Sequence, residues 1–281
     1  MIVTVASGKG GTGKTTIAVN LAWSLKEEMP VQVLDCDVEE PNSHLFLQPA
    51  LTTRDAVNVP VPLVDKAKCD YCGKCAEVCA FNAIAVINNY ILTFPELCHG
   101  CGGCTLFCPT GAISEQLREV GVVEAGQAGE IDFTHGRLNV GAALAPPVIK
   151  AVRGKSQVKP AVIIDAPPGA SCPVVASANG ADFCLLVTEP TPFGLHDLTL
   201  AAGMVRELGV PMGVIINRSG LDDAATERYC QQEGIPVLLK IPFDRRIAAC
   251  YARGGLLAEE FPEWKQQFRD LWKEIERRSG G

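Results

Sequence analysis

Aromatic residues make up only 6% of this 281-residue sequence, although apolar residues of all kinds reach 47%. A core so short of rings has to be aliphatic, as in α/β domains whose parallel strands are buried on both faces. Basic residues are in deficit too: 25 Lys and Arg stand against 32 Asp and Glu, a net charge of −7. Nucleic acid is therefore not expected as a partner, since no excess of cations exists to neutralise phosphates. No apolar run approaches the roughly 20 residues of a membrane span, so a membrane partner is not expected either. The first apolar run, Ile2 to Ala6, leads straight into a glycine loop and leaves no room for a signal peptide. A cytoplasmic location is expected.

What the sequence has in excess is cysteine, 13 in all, with eight of them between Cys69 and Cys108. Cytosolic thiols stay reduced, so such density points to metal rather than disulfides. The block is an internal repeat: KCDYCGKCAEVCAFNAI and LCHGCGGCTLFCPTGAI match at all four cysteines and at the closing Ala-Ile. Each copy has the C-x2-C-x2-C-x3-C spacing of a bacterial ferredoxin, in which the fourth cysteine ligates the other cluster. The expected ligand sets are Cys69, Cys72 and Cys75 with Cys108, and Cys98, Cys101 and Cys104 with Cys79, each for a [4Fe–4S] cluster. Zinc sites use separate cysteine pairs and do not account for third cysteines at this spacing. Cys79 is followed by Ala80 where the strict pattern has proline, which leaves the ligands intact but loosens that turn. His99, beside Cys98, is read as a surface histidine, with tuning of a cluster potential as the alternative.

The rest of the chain alternates strands and helices. Residues 2–6, a helical stretch from Thr16 to Lys26 and a second strand from Val31 to Leu34 form a β–loop–α–β start. Beyond the cysteines come a helix from Pro146 to Arg153 and strands from Ala161 to Ile164, Asp182 to Thr188, Val210 to Ile216 and Leu238 to Ile241. The expected fold is an α/β, doubly wound, mostly parallel sheet with a small α+β ferredoxin-like domain inserted. The expected boundaries are 1–57 and 118–281 for the sheet domain and 58–117 for the insert, the first set in the proline-punctuated stretch 58–66. Near the C-terminus, Trp264, Phe268, Leu271, Trp272 and Ile275 form a helical stripe. It is expected to pack on the sheet rather than to meet a membrane, because its flanking charges are mixed.

Gly8-Lys9-Gly10-Gly11-Thr12-Gly13-Lys14-Thr15 satisfies G-x-x-x-x-G-K-[ST] between a strand and a helix, the setting of a phosphate-binding loop. Glycines let backbone N–H groups wrap phosphates, and the helix N-terminus adds a favourable dipole. Lys14 would neutralise the β- and γ-phosphates and the Thr15 hydroxyl would ligate Mg²⁺.

With its additional Lys9, KGGTGKTT resembles the deviant Walker A motif of the ATPase family that includes MinD, the Mrp-type cluster carriers and the nitrogenase iron protein. The resemblance implies a homodimer with ATP at its interface, Lys9 reaching the partner's nucleotide. It also implies that Asp35-Cys36-Asp37 is the first switch, with Asp37 positioning the attacking water. Asp165 in IIDAPPG would hold Mg²⁺ through water, Asn217 in VIINRSG would read adenine, and IPFDRRI would close over the base. Lys9, Lys14 and Asp37 are thus the candidate catalytic residues. Gly8, Gly10, Gly11, Thr12, Gly13, Thr15, Thr16 and Asn217 are the candidate nucleotide contacts, with Thr15 and Asp165 on the metal.

Cysteines and loop together look like MinD-superfamily ATPases with an inserted ferredoxin domain. The function this implies is ATP hydrolysis coupled to electron transfer by, or cluster delivery from, the two clusters to an unidentified redox or metalloprotein partner. The alternative is a spatial positioning ATPase with a redox-sensing module. Cys172 has two readings, a bridging cluster ligand in the second switch or a small buried residue ahead of Pro173. The remaining cysteines, Cys36, Cys184, Cys230 and Cys250, are read as ordinary core or surface residues.

Overall fold

The computed structural model describes residues 1–220 and 222–280. The chain opens with β1 (Ile2–Ala6), α1 (Lys14–Leu25), β2 (Val31–Asp35), α2 (Ser43–Leu47) and β3 (Ala50–Val64). Next come α3 (Lys74–Glu77), β4 (Ile84–Ile87), β5 (Tyr90–Thr93), α4 (Gly103–Leu106), β6 (Ile113–Ala128) and β7 (Ile131–Leu138). They are followed by α5 (Pro146–Arg153), β8 (Ala161–Asp165), α6 (Cys172–Ala178), β9 (Phe183–Thr188) and α7 (Pro192–Glu207). The last elements are β10 (Met212–Ser219), α8 (Ala224–Gln232), β11 (Val237–Pro242), α9 (Arg245–Ala252), α10 (Leu257–Glu260) and α11 (Pro262–Ser279). The chain forms two compact units. One holds Met1–Arg54, Val123–Arg137 and Ile149–Gly281, the other Asp55–Val122 and Leu138–Val148.

The larger unit is built on short, wholly buried strands. Every residue of β2, β8 and β9 is buried, and the sheet order is β11-β10-β9-β1-β8-β2-β7-β6-β3. Pairing is parallel from β11 through to β7. Side chains alternate between two cores, as strand geometry requires: Phe183, Leu185 and Val187 enter one, Cys184 and Leu186 the other. Cys36, Cys184, Cys230 and Cys250 are all buried. The α11 stripe closes the first core. Trp264, Phe268, Leu271, Trp272 and Ile275 are buried in it, and Arg269 Nε bonds the Ser24 carbonyl of α1 at 2.9 Å.

The expected helices and strands are all present, with end shifts of a few residues. Three long strands, β3, β6 and β7, go beyond the sequence reading. Pro60 and Pro62, which mark the expected boundary, lie within β3. Proline is tolerated there because β3 ends the sheet order, and an edge strand can spare an N–H. β6 escapes notice because its first half alternates poorly, Ser114 to Leu117 being exposed. It joins β7 through Gly129-Glu130, with Gly129 at φ +60°, a two-residue connection available only to antiparallel neighbours.

The smaller unit repeats its backbone as well as its cysteines. Tyr71 and Gly100, Gly73 and Gly102, and Asn82 and Gly111 occupy equivalent places in the two copies, and all six have positive φ. α3 and α4 are equivalent single turns. The two copies also exchange partners: Asp65 N bonds the Ala112 carbonyl and Phe94 N the Ala83 carbonyl, both at 2.8 Å. Each copy therefore closes on the other's strand. Cys75, Ile84, Ile91 and Ile113 are the buried members of a small apolar cluster among the cysteines.

Candidate functional site

A loop from Ser7 to Gly13 leaves β1 and delivers Lys14 to the first turn of α1. Contact with backbone requires glycine at Gly8, and a side-chain amide crowds Gly13. A Cβ on Gly8 would lie 2.0 Å from the Asp197 carbonyl oxygen, and one on Gly13 would lie 2.5 Å from Asn217 Nδ2. Gly11 and Gly13 also take φ of +76° and +97°, which l-residues with a Cβ resist. Asn217 Nδ2 donates to the Thr12 carbonyl at 2.8 Å, so the residue expected at the base also pins the loop. Thr12 Oγ1 is buried without a hydrogen-bond partner among the described residues.

Lys14 and three carboxylates meet at the ends of the central strands. Asp35 on β2 and Asp165 on β8 are register partners and are fully buried. Asp35 accepts from Asp37 N at 3.1 Å and from Ser43 N at 3.0 Å, and Ser43 Oγ donates to Asp165 Oδ2 at 3.1 Å. Asp165 Oδ1 is buried without a partner among the described residues. Burial raises the pKa of Asp165, and burial plus repulsion from Asp165 raises that of Asp35 well above the usual range. The Asp37 carboxyl is pushed up to about 6, first by desolvation and then by Asp165. Desolvation lowers Lys14, opposed by attraction to the three aspartates. Excess negative charge with an orphaned carboxylate oxygen suits a divalent cation with oxygen ligands, and Thr15 and Asp165 are the residues here that fit one.

Lys14, Thr15 and Asp37 line a cavity of about 520 Å³, in the range of small-molecule sites. Gly10, Gly11, Gly13, Lys14, Thr15, Thr16 and Asp37 are among its lining residues. Asn217, Phe243, Asp244, Ile247 and Tyr251 line it too, and add apolar and aromatic faces suited to a flat base. Every residue of the IPFDRRI segment but Arg246 contributes to the lining. Gly8, Lys9, Thr12 and Asp165 are not among the lining residues. Lys9 Nζ instead donates to Glu189 Oε1.

The eight cysteines fall into two groups of four. Cys79, Cys98, Cys101 and Cys104 line one pocket, and Cys69, Cys72, Cys75 and Cys108 line another. Backbone N–H groups of Ala83, Gly100 and Ala112 donate to the sulfurs of Cys79, Cys98 and Cys108 at 3.3, 3.4 and 3.3 Å. Among the described residues, no group of three or more His, Cys, Asp or Glu converges on a single-ion site. His99 is exposed and stacks on Phe81, ring centroids 3.5 Å apart at 4°. Cys172 is exposed at the start of α6. The reading of it as a small buried residue is therefore corrected: it sits in the exposed first turn of a short helix.

Three residues of the nucleotide site escape the sequence reading. Ser43 joins the two buried aspartates, and Glu189 and Arg218 hold Lys9 and the loop. Glu189 carries one signal: it directly follows a strand, and ligands in open α/β sheets gather beyond the carboxyl ends of strands. Ser43 and Arg218 carry none.

A family model, the CobQ/CobB/MinD/ParA nucleotide binding domain, matches residues 3–257. An uncharacterized protein of Methanocaldococcus jannaschii is 31% identical over 258 residues, covering 90% of each chain. An iron-sulfur cluster carrier protein of Pyrococcus horikoshii is 27% identical over 260 residues, covering 86% of this chain and 74% of that one. Among solved structures, the septum site-determining protein MinD of Pyrococcus horikoshii, complexed with Mg-ADP, matches with a TM-score of 0.60. It is 21% identical and covers 98% of this chain and 95% of that chain, a likeness of fold. No helix among the described residues is long and apolar enough to cross a membrane. With its glycine loop, its strand-end aspartates and a family match across most of its length, the chain belongs to the CobQ/CobB/MinD/ParA nucleotide-binding family.

Proposed function

We propose that this protein is a Mg²⁺-dependent ATPase, dimeric when ATP is bound, whose nucleotide state governs two [4Fe–4S] clusters in residues 58–117. The clusters would serve electron transfer to, or delivery into, a partner metalloprotein. The observation that carries the iron–sulfur half is the division of eight cysteines into two pockets of four, each drawing its fourth sulfur from the other copy of the repeat. N–H donors on three sulfurs support it, since they stabilise thiolates around a cluster. The distant likeness to an iron-sulfur cluster carrier protein points the same way.

On the nucleotide side, the loop N–H groups and Lys14 would bind the phosphates. Thr15 and Asp165 would hold Mg²⁺, which supplies charge neutralisation for phosphoryl transfer. Asp37 would position the attacking water, and Asn217 with Phe243 and Tyr251 would hold adenine. Lys9 would reach the nucleotide of a second copy. The positioning-ATPase alternative has less support, because the α11 stripe that would meet a membrane is buried.

The test is anaerobic reconstitution followed by EPR redox titration with ADP and with a non-hydrolysable ATP analogue. About eight iron atoms per chain and midpoint potentials that differ between the two nucleotides are expected. Stoichiometric zinc in place of iron would end the cluster reading. Identical potentials, with partner affinity unchanged by nucleotide, would end the coupling.

A further inference from the structure

Lys9 does not project freely from the loop. Its ammonium is paired with Glu189, whose side chain is 11% exposed while that of Lys9 is 30% exposed. The same carboxylate accepts a second cation: Arg218 Nη1 bonds Glu189 Oε2 at 2.7 Å, and Arg218 Nη2 bonds the Gly11 carbonyl at 3.2 Å. One largely buried carboxylate thus holds two cations, and one of those cations is also tied to the phosphate loop.

Glu189 is held firmly. It follows the last residue of β9, and its carbonyl accepts from Thr191 N at 2.8 Å. Thr191 Oγ1 in turn accepts from Gly194 N at 3.0 Å, capping α7. A Cβ on Gly194 would sit 2.2 Å from the Glu189 carbonyl oxygen, so the turn closes tightly around that residue. Arg218 adopts φ +55°, a conformation that costs a non-glycine residue energy and persists only when its surroundings impose it.

We propose that Glu189 is a positioning residue for Lys9. It keeps the lysine on its own chain while the site lacks nucleotide, and Arg218 remains as counter-charge when the lysine leaves. A buried carboxylate stripped of its only cation is strongly disfavoured; a second cation already in place removes most of that obstacle. Lys9 can then exchange Glu189 for phosphate oxygens without leaving an unpaired charge behind. Arg218 adjoins Asn217 on β10, so the counter-charge and the residue that pins Thr12 share one strand end. The inference rests on the reading of Lys9 as the lysine that crosses to a second copy's nucleotide.

Two measurements on the full chain test it. The first is amine labelling of Lys9 by acetic anhydride in the nucleotide-free protein, followed by mass spectrometry. Glu189→Gln is expected to raise the Lys9 labelling rate several-fold, and Glu189→Asp to restore protection in part. Equal labelling in all three proteins overturns the proposal. The second is sedimentation with a non-hydrolysable ATP analogue. Glu189→Gln is expected to dimerise at about tenfold lower analogue concentration, the equivalent of 1.4 kcal/mol. The double variant Lys9→Ala/Glu189→Gln is expected to match Lys9→Ala alone. A Glu189→Gln effect that persists without Lys9 overturns the proposal. If the native chain forms no dimer with the analogue, the crossing role of Lys9 fails, and the labelling result decides the role of Glu189 on its own.

Discussion

Asp37 is a carboxylate kept under electrostatic pressure. Desolvation and the neighbouring Asp165 lift its pKa from an ordinary 3.8 to about 6, with Lys14 only partly compensating. Because the folded value lies above the unfolded one, its stabilising contribution is complete below about pH 4 and is lost as pH rises through 6. Asp35 and Asp165 are shifted in the same direction. The nucleotide-free chain is therefore expected to melt at a lower temperature at pH 7.5 than at pH 5.5, apart from other titrating groups. Asp37→Asn should flatten that dependence and stabilise the nucleotide-free protein by about 1 kcal/mol at neutral pH, the shift being discounted for partial exposure. The same substitution should lower ATP turnover about 10² to 10⁴-fold, the usual contribution of a group that manages the nucleophile's proton. Calorimetry across pH and a phosphate-release assay would check the two halves separately. A variant that is both less stable and fully active would contradict the charge arrangement described above.

At the scale of elements, α11 and the cysteine repeat carry the clearest expectations. α11 lays Trp264, Phe268, Leu271, Trp272 and Ile275 into the first core, and Trp272 Nε1 finds a partner in Glu276 at 2.9 Å. Trp272→Ala should cost about 3–5 kcal/mol, measured by denaturant unfolding, through the lost burial and the cavity left behind. The period of that stripe is plain in the sequence, and so is its burial once the mixed charges beside it are weighed. β3 and β6 are different: Pro60, Pro62 and the exposed run from Ser114 obscure them, and they are strands through pairing beyond β7, with only β3 at an edge. In the cysteine repeat, the crossed sets make a sharper prediction. If the proposed clusters are bound, Cys108→Ser should perturb the one assigned to Cys69, Cys72 and Cys75, leaving the one beside its own loop intact; Mössbauer or EPR spectra of Cys108→Ser and Cys79→Ser should show complementary losses. Loss of the signal belonging to the mutated residue's own loop would rule out the crossing.

For the molecule as a whole, the two units differ in what holds them. The larger has two extensive cores on a mostly parallel sheet, whereas the cluster between the two cysteine copies of the smaller has four buried members. A unit that small needs a staple beyond its apolar contacts, and in the proposed function the clusters provide it. Removing iron with a chelator under reducing conditions should abolish amide protection in residues 66–112 while ADP binding persists, as read by hydrogen exchange with mass spectrometry. The elements legible from sequence alone are those written in adjacent residues. The glycine loop, the spacing of the cysteines and the apolar strand runs each act through local backbone geometry, so a linear reading reaches them. Tertiary structure alone decided the rest: that Asp35 and Asp165 share a row, that Ser43 bridges them, and that Lys9 rests on Glu189 and Arg218. Those contacts join residues far apart in the chain. They depend on strand register and on which charges burial brings together, and neither is encoded in any short stretch of sequence.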